Sequence, residues 1–142
     1  MKPLSRFHPT LLSSLVAIAT FGLANPTLAA NAETLASGVV VTHTQPGKGA
    51  NPTASSTVRV HYRGTLPNGT EFDSSYKRNK PISFSLGGVI PCWTQGVQKI
   101  KVGGKARLTC PGATAYGEGG VPGLIPPNTT LTFEVELLAI ER

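Results

Sequence analysis

The chain has 142 residues, with 13 Lys and Arg against 7 Asp and Glu, a formal net charge of +6 and two cysteines. That length allows one domain with accessory segments and a single core of ordinary marginal stability. Nucleic acid is not an expected partner, because the basic residues are dispersed along the chain and no recognition motif gathers them.

Residues 1–30 read as a cleaved secretory signal peptide. Lys2 and Arg6 precede an apolar-biased run from Leu11 to Leu23, and Pro26 leads to the small residues Ala29 and Ala30, either of which can end the signal. The run falls short of the roughly 20 apolar residues of a spanning helix, so a membrane anchor is the weaker reading. Cleavage takes Lys2 and Arg6 from the 13 basic side chains and leaves 11 against 7, a net charge of +4. No cysteine stands at the cleavage point to carry a lipid, and no membrane attachment is expected afterwards. A periplasmic or secreted location follows, and the short signal leans bacterial. One glycosylation-type sequon, Asn128-Thr129-Thr130, is present.

Residues 31–37 look like a flexible leader, and 38–142 form the domain. The β-branched stretch 39–44 stops at Pro46-Gly47 and predicts a first strand. Over 57–63, Val58, Val60 and Tyr62 alternate with Arg59, His61 and Arg63, the pattern of a half-buried antiparallel strand with a solvated His61. Asn68-Gly69 signals a hairpin, and 71–75 begins the return strand. A polar loop at 77–81 precedes the alternating stretch 82–86, which ends at Gly87-Gly88.

Pro91 then suits the first turn of a short helix, where its missing N–H costs nothing. Trp93, Val97 and Ile100 fall at i, i+4 and i+7 and give that helix one apolar face. Trp93 is either plain core or the floor of an open pocket. Beyond Gly103-Gly104, the stretch 105–110 turns Ala106, Leu108 and Cys110 inward; Arg59, Arg63, Lys105 and Arg107 read as a solvated sheet face. The Gly/Pro loop 111–128 is long enough to be functional or disordered. In 131–140, Leu131, Phe133, Val135 and Leu137 share one face. The expected fold class is α+β: a bent antiparallel sheet of five or six strands on one short α-helix.

Reactive chemistry is thinly represented. Cys92, Cys110, His43 and His61 lack metal-ligand spacing, so neither metal nor cofactor is expected. There is no Gly-x-Ser-x-Gly motif, and Gly117-Glu118-Gly119-Gly120 lacks the setting of a phosphate loop. What remains is Tyr62, Phe72, Asp73, Phe84, Val89, Ile90, Trp93, Tyr116, Ile125 and Phe133: aromatic and aliphatic side chains with one carboxylate. Such a set binds a rigid apolar ligand with a few polar anchors. Phe84, Phe133 and Tyr62 could equally be core, and Asp73 could simply pair with a nearby Arg or Tyr. Cys92 heads the helix and Cys110 ends an inward register in a chain bound for an oxidising compartment, so a bridge between them is expected, with two buried free thiols as the alternative.

His61-Tyr62-Arg63-Gly64, Phe72-Asp73-Ser74-Ser75, Arg78-Asn79-Lys80-Pro81, Val89-Ile90-Pro91-x-Trp93, Ala115-Tyr116-Gly117, Ile125-Pro126-Pro127 and Phe133-Glu134-Val135-Glu136-Leu137-Leu138 occur in this order. Together they resemble the FKBP-type peptidyl-prolyl cis-trans isomerases, the macrolide-binding immunophilins, over 38–142. The resemblance implies a half-barrel sheet around the helix with Trp93 under a bound proline ring, walled by Tyr62, Phe72, Phe84, Val89, Ile90, Tyr116, Ile125 and Phe133. It further implies that the Ile90 N–H and the Tyr116 hydroxyl hold substrate carbonyls while Asp73 orients the twisted amide. Many relatives carry other residues at Ile82, Thr114 and Val121, and the Gly87-Gly88 link is shorter than in small cytosolic members. The implied partners are Pro-containing unfolded or partly folded polypeptides, and macrolide inhibitors such as tacrolimus and rapamycin. With no domain inserted at 117–124, a monomer is implied. The rival expectation is a non-catalytic holdase or Pro-peptide-binding module.

Overall fold

Alternating apolar residues dictate most of the architecture. The computed structural model describes residues 31–141, and the signal expected at 1–30 lies outside the described residues. Seven strands form one antiparallel sheet: β1 (Ala32–Thr34), β2 (Val40–Gln45), β3 (Thr57–Thr65), β4 (Glu71–Ser74), β5 (Ile82–Ser85), β6 (Lys105–Cys110) and β7 (Leu131–Ile140). Their order is β1-β2-β6-β7-β3-β4, with β5 also on β3. β3 therefore shares one edge between two strands, β5 along Thr57 to Val60 and β4 along Arg63 to Thr65. Its other edge runs along β7 from Val58↔Ile140 to Thr65↔Thr132.

The sheet has seven strands where five or six were expected: the six stretches read as strands are all present, and β1 is the seventh. It lies in the stretch 31–37 read as a flexible leader, which corrects that expectation. Ala32-Glu33-Thr34 is wholly exposed and shows no alternation; backbone pairing to β2 holds it, with Glu33 3.5 Å from Lys99 and Ser37 hydrogen-bonded to Gln95. The Asn68-Gly69 signal does mark a hairpin, whose loop spans the five residues 66–70. Thr65 pairs with Glu71, the Leu66 N–H donates to the Thr70 carbonyl (2.8 Å), and Gly69 alone takes positive φ, +88°.

The helix α1 (Pro91–Val97) crosses the inner face of the sheet and buries Cys92, Trp93, Gly96 and Val97. Ile100 is buried just beyond its end. Val41, Val58, Val60, Leu108, Leu131 and Leu137, all fully buried, complete the core between helix and sheet. Cys92 and Cys110 are joined in a disulfide, their Cα atoms 5.6 Å apart, which ties the first turn of α1 to the end of β6. The outer face carries Arg59, Arg63, Lys105 and Arg107, all exposed. His61 departs from the solvated state expected of it. It is half-buried, its Nδ1 lies 2.8 Å from Ser75 Oγ, and its ring stacks on Tyr76 with centroids 4.6 Å apart.

Candidate functional site

The inward register of β3 ends at Tyr62 and Gly64, and at this end of the sheet the aromatic residues converge. β7 supplies Phe133, β4 Phe72 and Asp73, β5 Phe84, and α1 Trp93. The turn before the helix adds Gly88, Val89 and Ile90, and the 111–128 loop adds Tyr116. Together they line a cavity of about 340 Å³. Trp93 is only 4% exposed and still faces the cavity, so its indole is a floor with open space above it.

The rings around that floor meet edge to face. Trp93 lies 5.2 Å from Tyr62, 5.3 Å from Phe84 and 5.5 Å from Phe133 between centroids, at 87°, 71° and 90°. Phe72 meets Phe133 at 5.6 Å and 85°. Such pairs contribute about 0.5–1.5 kcal/mol each beyond their burial, so the wall is rigid. Gly64 makes room for it: a Cβ there would stand 2.5 Å from Phe72 Cζ and 2.9 Å from Phe133 Cε1.

One charged group stands at the rim. The Asp73 carboxylate accepts from the Tyr62 hydroxyl at Oδ2, and at Oδ1 from Arg78 Nη1 (2.8 Å) and the Ser74 N–H (2.9 Å). Arg78 Nη2 also donates to the Tyr62 oxygen (3.1 Å), and its guanidinium lies 6.0 Å from the Tyr62 ring centroid. Burial alone would raise the Asp73 pKa; the hydrogen bonds from Tyr62 and Arg78 and the guanidinium charge outweigh it and hold the carboxyl below its ordinary value. Burial first, and the Asp73 hydrogen bond second, push the Tyr62 phenol up to about 12. The pair is thus a fixed carboxylate and a fixed O–H donor. With both oxygens already accepting, Asp73 is a poor proton acceptor.

Of the residues singled out from sequence, Tyr62, Phe72, Asp73, Phe84, Val89, Ile90, Trp93, Tyr116 and Phe133 are brought together. Ile125 is not. It is 4% exposed, exchanges two 2.8 Å backbone hydrogen bonds with Val121 and lies under the loop beside Leu66, Leu124 and Pro126. Its burial supports the loop that presents Tyr116.

Three residues escaped the sequence reading as site members. Gly88 lines the cavity, Arg78 clamps Asp73, and Ser75, fully buried, bridges the joint where the edge of β3 passes from β4 to β5. Ser75 Oγ accepts the Tyr62 N–H (2.8 Å) and the Ser75 N–H donates to the Tyr62 carbonyl (3.0 Å). Arg78 was legible as a cation five residues after Asp73, but a loop gives no spacing rule that pairs them. A wider trough of about 640 Å³ on the outer face is walled by ion-paired Arg63, Glu71, Arg107 and Glu134, with Tyr76 as its one aromatic against the six of the inner cavity. The inner cavity is therefore the candidate.

A family model described as FKBP-type peptidyl-prolyl cis-trans isomerase matches residues 48–138. The chain belongs to the FKBP family. Within that family it is similar to the FKBP-type peptidyl-prolyl cis-trans isomerase FkpA of Escherichia coli K12, 53% identical over 109 residues that make up 77% of this chain and 40% of that protein. It is 51% identical over 107 residues to the peptidyl-prolyl cis-trans isomerase Fkbp12 of Drosophila melanogaster, covering 73% of this chain and 99% of that one. The crystal structure of E. coli FkpA superposes with a TM-score of 0.74 at 53% identity, over 78% of this chain and 51% of that one. A peptidyl-prolyl cis-trans isomerase from Pseudomonas syringae pv. tomato gives 0.74 at 41% identity, over 79% and 82%. This FKBP chain thus spans about two fifths of the length of the curated FkpA protein it matches. The open antiparallel sheet on a single helix is the architecture of these solved FKBP structures.

Proposed function

We propose that the chain is a peptidyl-prolyl cis-trans isomerase that speeds Xaa-Pro rotation in exported polypeptides, acting as a monomer. One observation carries this reading: an aromatic cavity floored by Trp93, with a single carboxylate at its rim that is already saturated by donors. Rotation about Xaa-Pro faces a barrier of about 18–20 kcal/mol because amide resonance must be broken, yet no bond need be made or cut. The twisted amide loses the charge-separated resonance form of the planar one, so a dry apolar wall favours the twisted state. That is differential binding, and each 1.36 kcal/mol of it gives about tenfold in rate.

In this reading Trp93 lies under the proline ring. The Ile90 N–H, which makes no backbone hydrogen bond among the described residues, donates to a substrate carbonyl. Tyr116, 41% exposed at the mouth, donates its hydroxyl to another. Asp73 contributes a fixed negative charge beside the rotating amide. The bridged Cys92 and Cys110 suit an oxidising compartment, as the signal expected at 1–30 does. A cavity so built also suits a rigid macrolide. The relative from Candida glabrata, 50% identical over 111 residues, is named FK506-binding protein 1.

Isomerisation of a proline tetrapeptide, followed without and with a tacrolimus-type competitor, tests the proposal. Asp73→Ala and Tyr116→Phe are each expected to lower kcat/KM by about tenfold, equivalent to ~1.4 kcal/mol, with the fold intact. Suppressed aggregation of an unfolded client without any rate acceleration would instead establish the holdase.

A further inference from the structure

Cys92 and Cys110 stand at the roots of the two segments that offer hydrogen-bond donors to the cavity. Cys92 lies in the first turn of α1, directly before Trp93 and just after the turn that presents the Ile90 N–H. Cys110 is the last residue of β6, paired with Leu131 of β7, and the chain that leaves the sheet there leads to Tyr116. That chain is stiff. The Pro111 carbonyl accepts the Thr114 N–H (2.8 Å) and hydroxyl (2.7 Å), and the Gly112 carbonyl accepts the N–H groups of Ala115 (3.0 Å) and Gly117 (2.9 Å). A movement at Cys110 is therefore passed on to Tyr116.

The first turn of α1 has little else to fix it against β6. The helix has 7 residues, too few to be stable alone, and no side chain caps its N-terminus. Thr94 and Gln95 hydrogen-bond to Leu86 and Ser37, outside β6. One turn beyond Cys92, Gly96 packs on β6 so closely that a Cβ there would stand 2.9 Å from Leu108 Cδ2. That contact alone would let the helix pivot; the disulfide supplies a second point. We propose that Cys92 and Cys110 are positioning residues: their bridge fixes the spacing between the Ile90 N–H and the Tyr116 hydroxyl, which then act as one clamp on two carbonyls of the same substrate. Donors held at a set spacing leave less to be ordered on binding than donors that move independently. The inference rests on the isomerase reading above and adds what keeps its two donors in register.

The test is a cycle of Tyr116→Phe against loss of the bridge. The bridge is removed in two ways: by Cys92→Ala with Cys110→Ala, and by refolding the wild type with a phosphine reductant, which leaves two thiols and every heavy atom of the protein. Thermal unfolding sets an assay temperature at which all forms are folded. Both unbridged forms are expected to show kcat/KM for a proline tetrapeptide about fivefold below the bridged protein. Tyr116→Phe is expected to cost about tenfold with the bridge and about twofold without it, because the clamp is then already lost. A Tyr116→Phe loss that is as large in either unbridged form as in the bridged one overturns the inference, as does an unbridged form as active as the bridged protein. If the bridged protein accelerates no peptide, the isomerase reading fails by itself. The same cycle is then read from dissociation constants of the tetrapeptide, followed by the fluorescence of Trp93. A smaller Tyr116→Phe penalty without the bridge supports the clamp, and equal penalties overturn it.

Discussion

Asp73 keeps its charge because three donors converge on it, and Arg78 is the only one of the three that brings a full positive charge. With the native carboxyl held below its ordinary value, the folded protein binds this proton less readily than the unfolded chain does. The stabilisation is therefore complete above the unfolded value of about 3.9 and is lost as pH falls through the lower native one. Arg78→Ala removes the guanidinium and lets the carboxyl rise, so the acidic limb of the kcat/KM profile is expected to move to higher pH. Arg78→Lys restores part of the charge and should move it back part of the way. An acidic limb that stays in place in Arg78→Ala would show that Arg78 does not set it. Tyr62, pushed up to about 12, stays protonated throughout and adds no alkaline limb of its own in the working range. Ser75 acts on the same residue through the backbone. Ser75→Ala leaves the buried Tyr62 N–H without its acceptor, and a loss of about 1–3 kcal/mol is expected in urea unfolding with the slope unchanged.

Among the elements, those that bury one face were legible and those held by backbone alone were not. Val58, Val60 and Tyr62 in β3, and Leu131 through Leu137 in β7, alternate because their sheet has a wet side and a dry side. β1 buries nothing and so leaves no periodic trace. α1 was legible from Pro91 and the Trp93, Val97, Ile100 spacing, although Ile100 lies beyond the last helical turn. The disulfide adds a covalent tie between helix and sheet. It closes a loop of sequence separation 18, and the double variant Cys92→Ala with Cys110→Ala is expected to lose about 3 kcal/mol in the same denaturation experiment. A loss below 1 kcal/mol would mean that packing alone holds α1 against β6.

At the scale of the molecule, the inner face gathers apolar side chains while charges pair across the outer one, as Arg107 does with Glu134 at 3.4 Å. Tyr62, Phe84 and Phe133 were readable because strand alternation turned their rings inward, and Trp93 because of its helical spacing. Ile125 was misplaced because the 111–128 loop follows no period, and only the Val121↔Ile125 bridge shows which way it turns. The edge-to-face contacts around Trp93 have one more consequence. Each ring is already locked by its neighbours, so little side-chain freedom is left to lose when a guest arrives, and proline is itself a stiff ring. Association then joins two preorganised bodies over a modest area. Its heat capacity change should be negative and small, and its lifetime short, as the proposed isomerase would need in order to release each chain it turns.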